Sequence, residues 1–275
     1  MKIEIGISKI KKIARQMMRG KWFSAFAAVI CVEALLRAPG FIIGQFIKSD
    51  FMSYILDLYT ILVCGPLLLG LSCYFLEAFR GEDEGLGSFT KGFARAWNGI
   101  SLFAMCFAFT FLWSLLFVIP GIIAAIRYSQ AFFILADEPD LHPLACIAKS
   151  KQMMQPNLSK FFVLELSYVL WQFVLTLPSS VVAAGQMNVS GIISYQALMT
   201  EYVRVMQDPV VIVLSLLPIL SLPFLLASNA CFYDLASGNL VLEYGGEFPR
   251  GSAEGSIDTY EISFEESPEE GHEDE

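Results

Sequence analysis

Long apolar runs separated by short polar stretches dominate the chain. A helix needs about 20 apolar residues to cross about 30 Å of hydrocarbon, and several runs reach that length. The first is Trp22–Ile47, interrupted by Glu33 and Arg37; the second is Ile55–Phe79. A third stretch, Ile100–Ala136, has 37 residues and one strong charge, Arg127. At about 1.5 Å per residue it would make about 55 Å of helix, too long for one crossing. Pro120-Gly121 lies in its middle, and proline removes a backbone donor and clashes with the preceding turn. The stretch is therefore expected to fold back as Ile100–Ile119 and Gly121–Ala136. A fifth run is Phe161–Ala184, and a sixth starts at Asp208-Pro209 and reaches Phe232. Asp208 reads as a helix cap with proline at the first helical position, and Pro218 and Pro223 should kink that sixth helix.

This pattern predicts an all-α fold: a polytopic membrane bundle of six transmembrane helices in three hairpins, with short amphipathic helices at the interface. Residues 1–21 form a basic N-terminal segment, 22–240 the membrane body, and 241–275 an acidic tail. Two segments are amphipathic. Ser8–Arg19 places Ile10, Ile13, Ala14 and Met17 at helical spacing, and Pro143–Met154 gathers Leu144, Ile147 and Ala148 on one side. Ser194–Gln207 reads as a third such helix. Basic helices of this kind lie in the headgroup layer of an anionic leaflet.

Composition agrees with the pattern. The 275 residues are 55% hydrophobic and 16% charged, with a mean hydropathy of +0.57, against about 45–50% and about 25% in an average soluble domain. The net charge of −9 hides a division. From Glu243 onward there are twelve acids and one base, so the body before it is slightly basic. The acidic tail has too little apolar area to offset the entropy of ordering and reads as disordered. Six crossings put both termini on one side. Fourteen lysines and arginines fall on that side, Lys48 and Arg204 on the other, and Arg37 and Arg127 within the bilayer. The rule that basic loops stay inside makes the richer face cytoplasmic. The six cysteines include no C-x-x-C pair, so a disulfide framework or zinc site is not expected.

The stretch Ile119–Ser167 carries Pro120-Gly121-Ile122, Tyr128-Ser129, Leu135-Ala136-Asp137 with Pro139, Met153-Met154, and Leu164-Glu165-Leu166-Ser167. With the basic opening SKIKKIARQMMRGKWFSA, the Leu76…Arg80-Gly81 loop entry and Phe232-Tyr233, it resembles the bacterial membrane-protein family known as domain of unknown function 975. Gln155-Pro156 stands where that pattern has Gly followed by Lys or Trp. The resemblance implies a multi-spanning protein of a bacterial cytoplasmic membrane and carries no catalytic residue with it.

Charges inside a bilayer are costly and usually face protein or a wet cavity. The candidates are Glu33, Arg37, Arg127 and Glu165. Glu33 and Arg37 stand four apart, acid first, the favourable order for a pair within one helix. Arg127 is expected to face the interior and meet Glu33, Glu165 or backbone carbonyls. Glu33-x-x-x-Arg37 also resembles part of the glutamate motif of CAAX-processing intramembrane proteases. That chemistry needs a second Glu and histidines on later spans, whereas residue 32 is Val and the two histidines, His142 and His272, lie outside the spans. Asp137-Glu138-Pro139-Asp140 reads as a helix end whose acids cap the next helix. A weak echo links Ala38-Pro39-Gly40 to Ile119-Pro120-Gly121. The chain is thus expected to be non-enzymatic and without a cofactor, metal or nucleic-acid partner. Its partners are the lipid bilayer and another membrane protein. Binding or passing a small solute or lipid is the leading reading. A scaffold that uses the basic loops and acidic tail is the alternative.

Overall fold

The computed structural model describes residues 2–46, 50–82, 87–187, 195–243 and 261–264. Its helices are α1 (Ile7–Met17), α2 (Trp22–Phe46), α3 (Asp50–Arg80), α4 (Gly87–Ala94), α5 (Ala96–Leu116) and α6 (Val118–Tyr128). They continue with α7 (Ala131–Asp137), α8 (Pro143–Met154), α9 (Leu158–Gln186), α10 (Tyr195–Met206), α11 (Pro209–Ser215) and α12 (Leu222–Ser237). Six stretches among the described residues are long and apolar enough to cross a membrane: Trp22–Gly40, Tyr54–Arg80, Ala96–Leu116, Val118–Asp137, Leu158–Gln186 and Pro209–Ser237.

The long third run does divide, but three residues before its proline. α5 stops at Leu116, Phe117 is extended (φ −161°, ψ 154°), and α6 begins at Val118. Pro120 therefore sits in the first turn of α6, where its missing N–H leaves no helical bond unmade. The returning limb is itself broken at Ser129-Gln130, between α6 and α7. Asp208 caps α11 as its sequence suggests, accepting from the amides of Val210 (2.8 Å) and Val211 (3.3 Å). Pro218 turns the last span into a short 3-10 segment, Leu217–Ser221, before α12 resumes it. Pro39, by contrast, lies within an unbroken α2, so the Pro-Gly echo does not correspond to a repeated break.

Neighbour packing runs from α2 to α3, α5, α6, α9 and α11, and the 3-10 segment returns to α2. Small residues let α3 approach its neighbours. A methyl group on Gly65 would stand 2.5 Å from the Gly99 carbonyl oxygen of α5, the close backbone contact that helices in lipid exploit. The buried core is concentrated at one end. Phe75, Phe79, Ile134, Leu135, Cys146, Met154, Phe161, Leu164 and Ala230–Tyr233 are buried there. The opposite halves of the spans are open, with Phe51, Tyr54, Leu58 and Leu62 on α3, the Leu115–Ile119 turn, and Val169, Leu170, Trp171, Phe173 and Val174 on α9 exposed. Lipid tails are as apolar as these side chains, so nothing drives them together.

The amphipathic segments lie differently from the sequence expectation. The apolar stripe of α1 is covered by protein: Ile10, Ala14 and the following Met18 are buried, and α1 packs on α12, α9 and α3. In α8 the buried stripe is Pro143, Cys146, Ile147, Ser150, Met153 and Met154, while Leu144 and Ala148 face outward. Val205 of α10 packs with Val211 and Ala183. Two short pieces near and within the acidic tail pair as antiparallel strands, β1 (Leu240–Glu243) and β2 (Glu261–Phe264). The remainder of the tail expected to be disordered lies outside the described residues.

Candidate functional site

Arg80 ends α3, Asp137 ends α7, and Asp234 lies in the last turn of α12. The three meet at the buried end of the bundle. Arg80 Nη1 donates to Asp137 Oδ1 at 2.6 Å, and Arg80 Nη2 donates to Asp234 Oδ1 at 2.7 Å. Nε lies 3.3 Å from each oxygen of Asp234, so the guanidinium grips that carboxylate along its edge. Only arginine presents donors in such a planar fork. The Tyr233 hydroxyl donates to Asp137 Oδ2 at 2.7 Å, and Asn239 Nδ2 lies 3.4 Å from the same oxygen. Gly238, at φ 93°, ends α12. That left-handed step, which favours glycine, turns the chain so that Asn239 reaches back.

The Asp234 side chain is 0% exposed, and those of Arg80 and Asp137 are about one-fifth exposed. Phe133 stacks on the Tyr233 ring at 5.9 Å. The cluster thus clamps three helices from different parts of the chain. Beside it opens a cleft of about 240 Å³, lined by Asp137, Glu138, Lys149, Gln152, Tyr233 and Asn239 among others. Lys149 and Glu138 form an ion pair across its rim.

The residues singled out by sequence do not converge. Glu33 and Arg37 form the expected pair within α2, at 2.7 Å, with Arg37 largely exposed. Arg127 meets neither Glu33 nor Glu165; its Nε is buried with no hydrogen-bond partner among the described residues. The helix that carries it packs on α5, α8 and α9, while Glu33 lies on α2 and is already held by Arg37. Glu165 instead accepts a hydrogen bond from Asn229 of α12 at 2.9 Å. Close by, Lys11 of α1 donates to Ser167 at 2.6 Å and lies 4.3 Å from the centre of the Tyr168 ring. The Tyr168 hydroxyl lies 2.7 Å from Ser228 Oγ. Asp137, read from sequence as a helix-boundary acid, is a clamp member. Arg80 was legible as a basic loop charge and as part of the Leu76…Arg80-Gly81 loop entry, with no partner assigned to it. Asp234 had a usable signal, a lone carboxylate directly after an apolar run, but it fell just past the expected end of the sixth span at Phe232.

The family model for proteins of unknown function DUF975 matches residues 94–234. The chain belongs to this family. The matched region begins before α5 and ends on Asp234, so it holds both carboxylates of the clamp, while Arg80 precedes it. No curated protein and no solved structure matches.

Proposed function

We propose that this DUF975 member is a non-enzymatic multi-pass protein of a bacterial cytoplasmic membrane, with both termini in the cytosol, that binds a small polar solute or lipid headgroup. The orientation rests on the fourteen basic residues of one face. The observation that carries the binding role is the cleft of about 240 Å³ held open beside the clamp. A recognition site needs a few polar groups fixed in place on a rigid frame. Asp137, Tyr233 and Asn239 are fixed by their bonds to one another, and Gln152 and the Lys149–Glu138 pair complete the wall.

The same bonds disfavour chemistry. Both oxygens of Asp137 are engaged, the Tyr233 hydroxyl is committed to it, and Ser237 donates to the Asp234 carbonyl at 3.1 Å. The hydroxyl–carboxylate pair in the cleft, Tyr233 on Asp137, has its carboxylate held by Arg80 and Asn239 as well, which leaves it poorly placed to activate a nucleophile for acyl or phosphoryl transfer. Mass spectrometry of small molecules retained by the purified protein tests the reading. A polar compound should accompany the wild type and be lost in Gln152→Ala, which leaves the clamp intact and should leave the unfolding temperature unchanged. Identical small-molecule content in both proteins would refute it.

A further inference from the structure

On the same end of the molecule, the first residues of the chain fold over the start of α9. Ile3 is buried; its amide donates to Asn157 Oδ1 at 2.9 Å, and its carbonyl accepts from Lys160 Nζ at 2.5 Å. Between the two segments is a pocket of about 430 Å³, lined by Lys2, Ile3, Ile7, Pro156, Ser159 and Lys160 among others. That size lies within the range of about 300–1,000 Å³ typical of small-molecule sites.

The lining has one chemical bias. It holds two ammonium groups and a hydroxyl, and no carboxylate. An ammonium has three N–H donors, and the Lys160 bond to Ile3 uses one. Asn157 makes no side-chain cap on α9; it serves Ile3 and the Met153 carbonyl instead. The first-turn amides of a 29-residue helix therefore add their positive end to the same wall. Ile3, Ile7 and Pro156 supply apolar flanks.

We infer that this pocket binds a phosphate-bearing anion, of the kind carried by an anionic phospholipid headgroup or by free phosphate. The site is separate from the clamp cleft and does not depend on it. Delipidated full-length protein in neutral detergent should be offered equal amounts of phosphatidylglycerol and phosphatidylcholine and examined by native mass spectrometry. In parallel, its thermal stability should be compared in phosphate and in chloride at equal ionic strength.

Selective retention of phosphatidylglycerol identifies the headgroup as the source; stabilisation by inorganic phosphate identifies the free anion. In either arm Lys2→Gln and Lys160→Gln should each weaken binding by about fivefold, the effect of one cation near an anionic surface. Lys2 is exposed, so its variant reads the ligand even if Lys160→Gln loosens the N-terminal arm. Lys12→Gln, on α1 away from the pocket, should change nothing. Equal retention of both lipids without a phosphate effect, unchanged binding in Lys2→Gln, or an equal loss in Lys12→Gln would overturn the inference.

Discussion

Replacing Arg80 by Met tests the clamp directly. The substitution keeps most of the side-chain volume and removes the charge. It leaves Asp234, whose side chain is 0% exposed, and Asp137 without their cation. Breaking a buried pair from one side costs about 3–5 kcal/mol, because the stranded charge stays out of water. Here two carboxylates are stranded. Asp137 keeps the Tyr233 and Asn239 donors at 2.7 and 3.4 Å, which offsets part of its cost, so the upper half of that range applies to the pair together. At about 2–4 °C per kcal/mol for a chain of this size, the unfolding midpoint should fall by on the order of 10 °C. The assay is a thermal scan of detergent-solubilised protein followed by size-exclusion. Arg80→Lys should recover only part of the loss, since one ammonium cannot grip both carboxylates in the observed fork. Adding Asp234→Asn to Arg80→Met should recover several degrees by removing the most buried charge. A midpoint within about 2 °C of wild type for Arg80→Met, an effect typical of exposed ion pairs, would show that the cluster is solvated and that the three helix ends are held by apolar packing alone.

Gly92→Ala should lower the midpoint by the equivalent of about 1–3 kcal/mol or more, because the new methyl group would run into the α3 backbone at Gly70 and Pro66. Gly40→Ala, with open space around it, should be neutral or slightly stabilising, and the thermal scan compares the two. Asp208→Ala should cost about 0.5–2 kcal/mol through loss of the α11 cap, read from the same scan. Cys146 should resist alkylation at pH 7.5 until the protein is unfolded, because burial first, and Glu138 second, push its thiol up to about 11; peptide mapping after maleimide treatment checks this. Burial, with Arg15 adding to it, holds the Lys11 ammonium below the ordinary lysine range. Its contribution to stability is then fully present above about pH 10.5 and lost as pH falls through the folded value. Lys11→Met should flatten that part of the pH–stability profile, as measured by midpoints taken from pH 7 to pH 10.

The spans were legible because a bilayer imposes a length and a polarity on each crossing, and both are local properties of the chain. The turn in the third run was legible for the same reason, but its position was not. Proline marked the fold-back, yet the chain breaks at Phe117, because a helix can begin before a proline more easily than it can end on one. The clamp was not legible. Its members lie 57 and 154 residues apart along the chain, and each had a sufficient local explanation or none. Periodicity identified the amphipathic segments, but it reports that a helix has an apolar stripe and not what covers it. For α1 the cover is α9 and α12, so Ile10 and Met18 belong to the protein core.

Two arginines show why position in the fold, and not residue type, decides what a buried charge does. Arg127 lies near the break between α6 and α7, where its Nε has no partner among the described residues. Arg80 lies where three helices converge, and two carboxylates and an amide-bearing loop were placed there by α7, α12 and Gly238. An apolar cluster of the same volume could give comparable stability. It would not fix rotation, because leucine and isoleucine contacts tolerate sliding while a bidentate bond does not. The apolar halves of the spans, open to lipid, supply no such constraint. The register of the bundle must therefore be set at its buried end. Around Arg80 a bidentate bond holds three separate helix ends in one geometry, and that is also where the cleft opens.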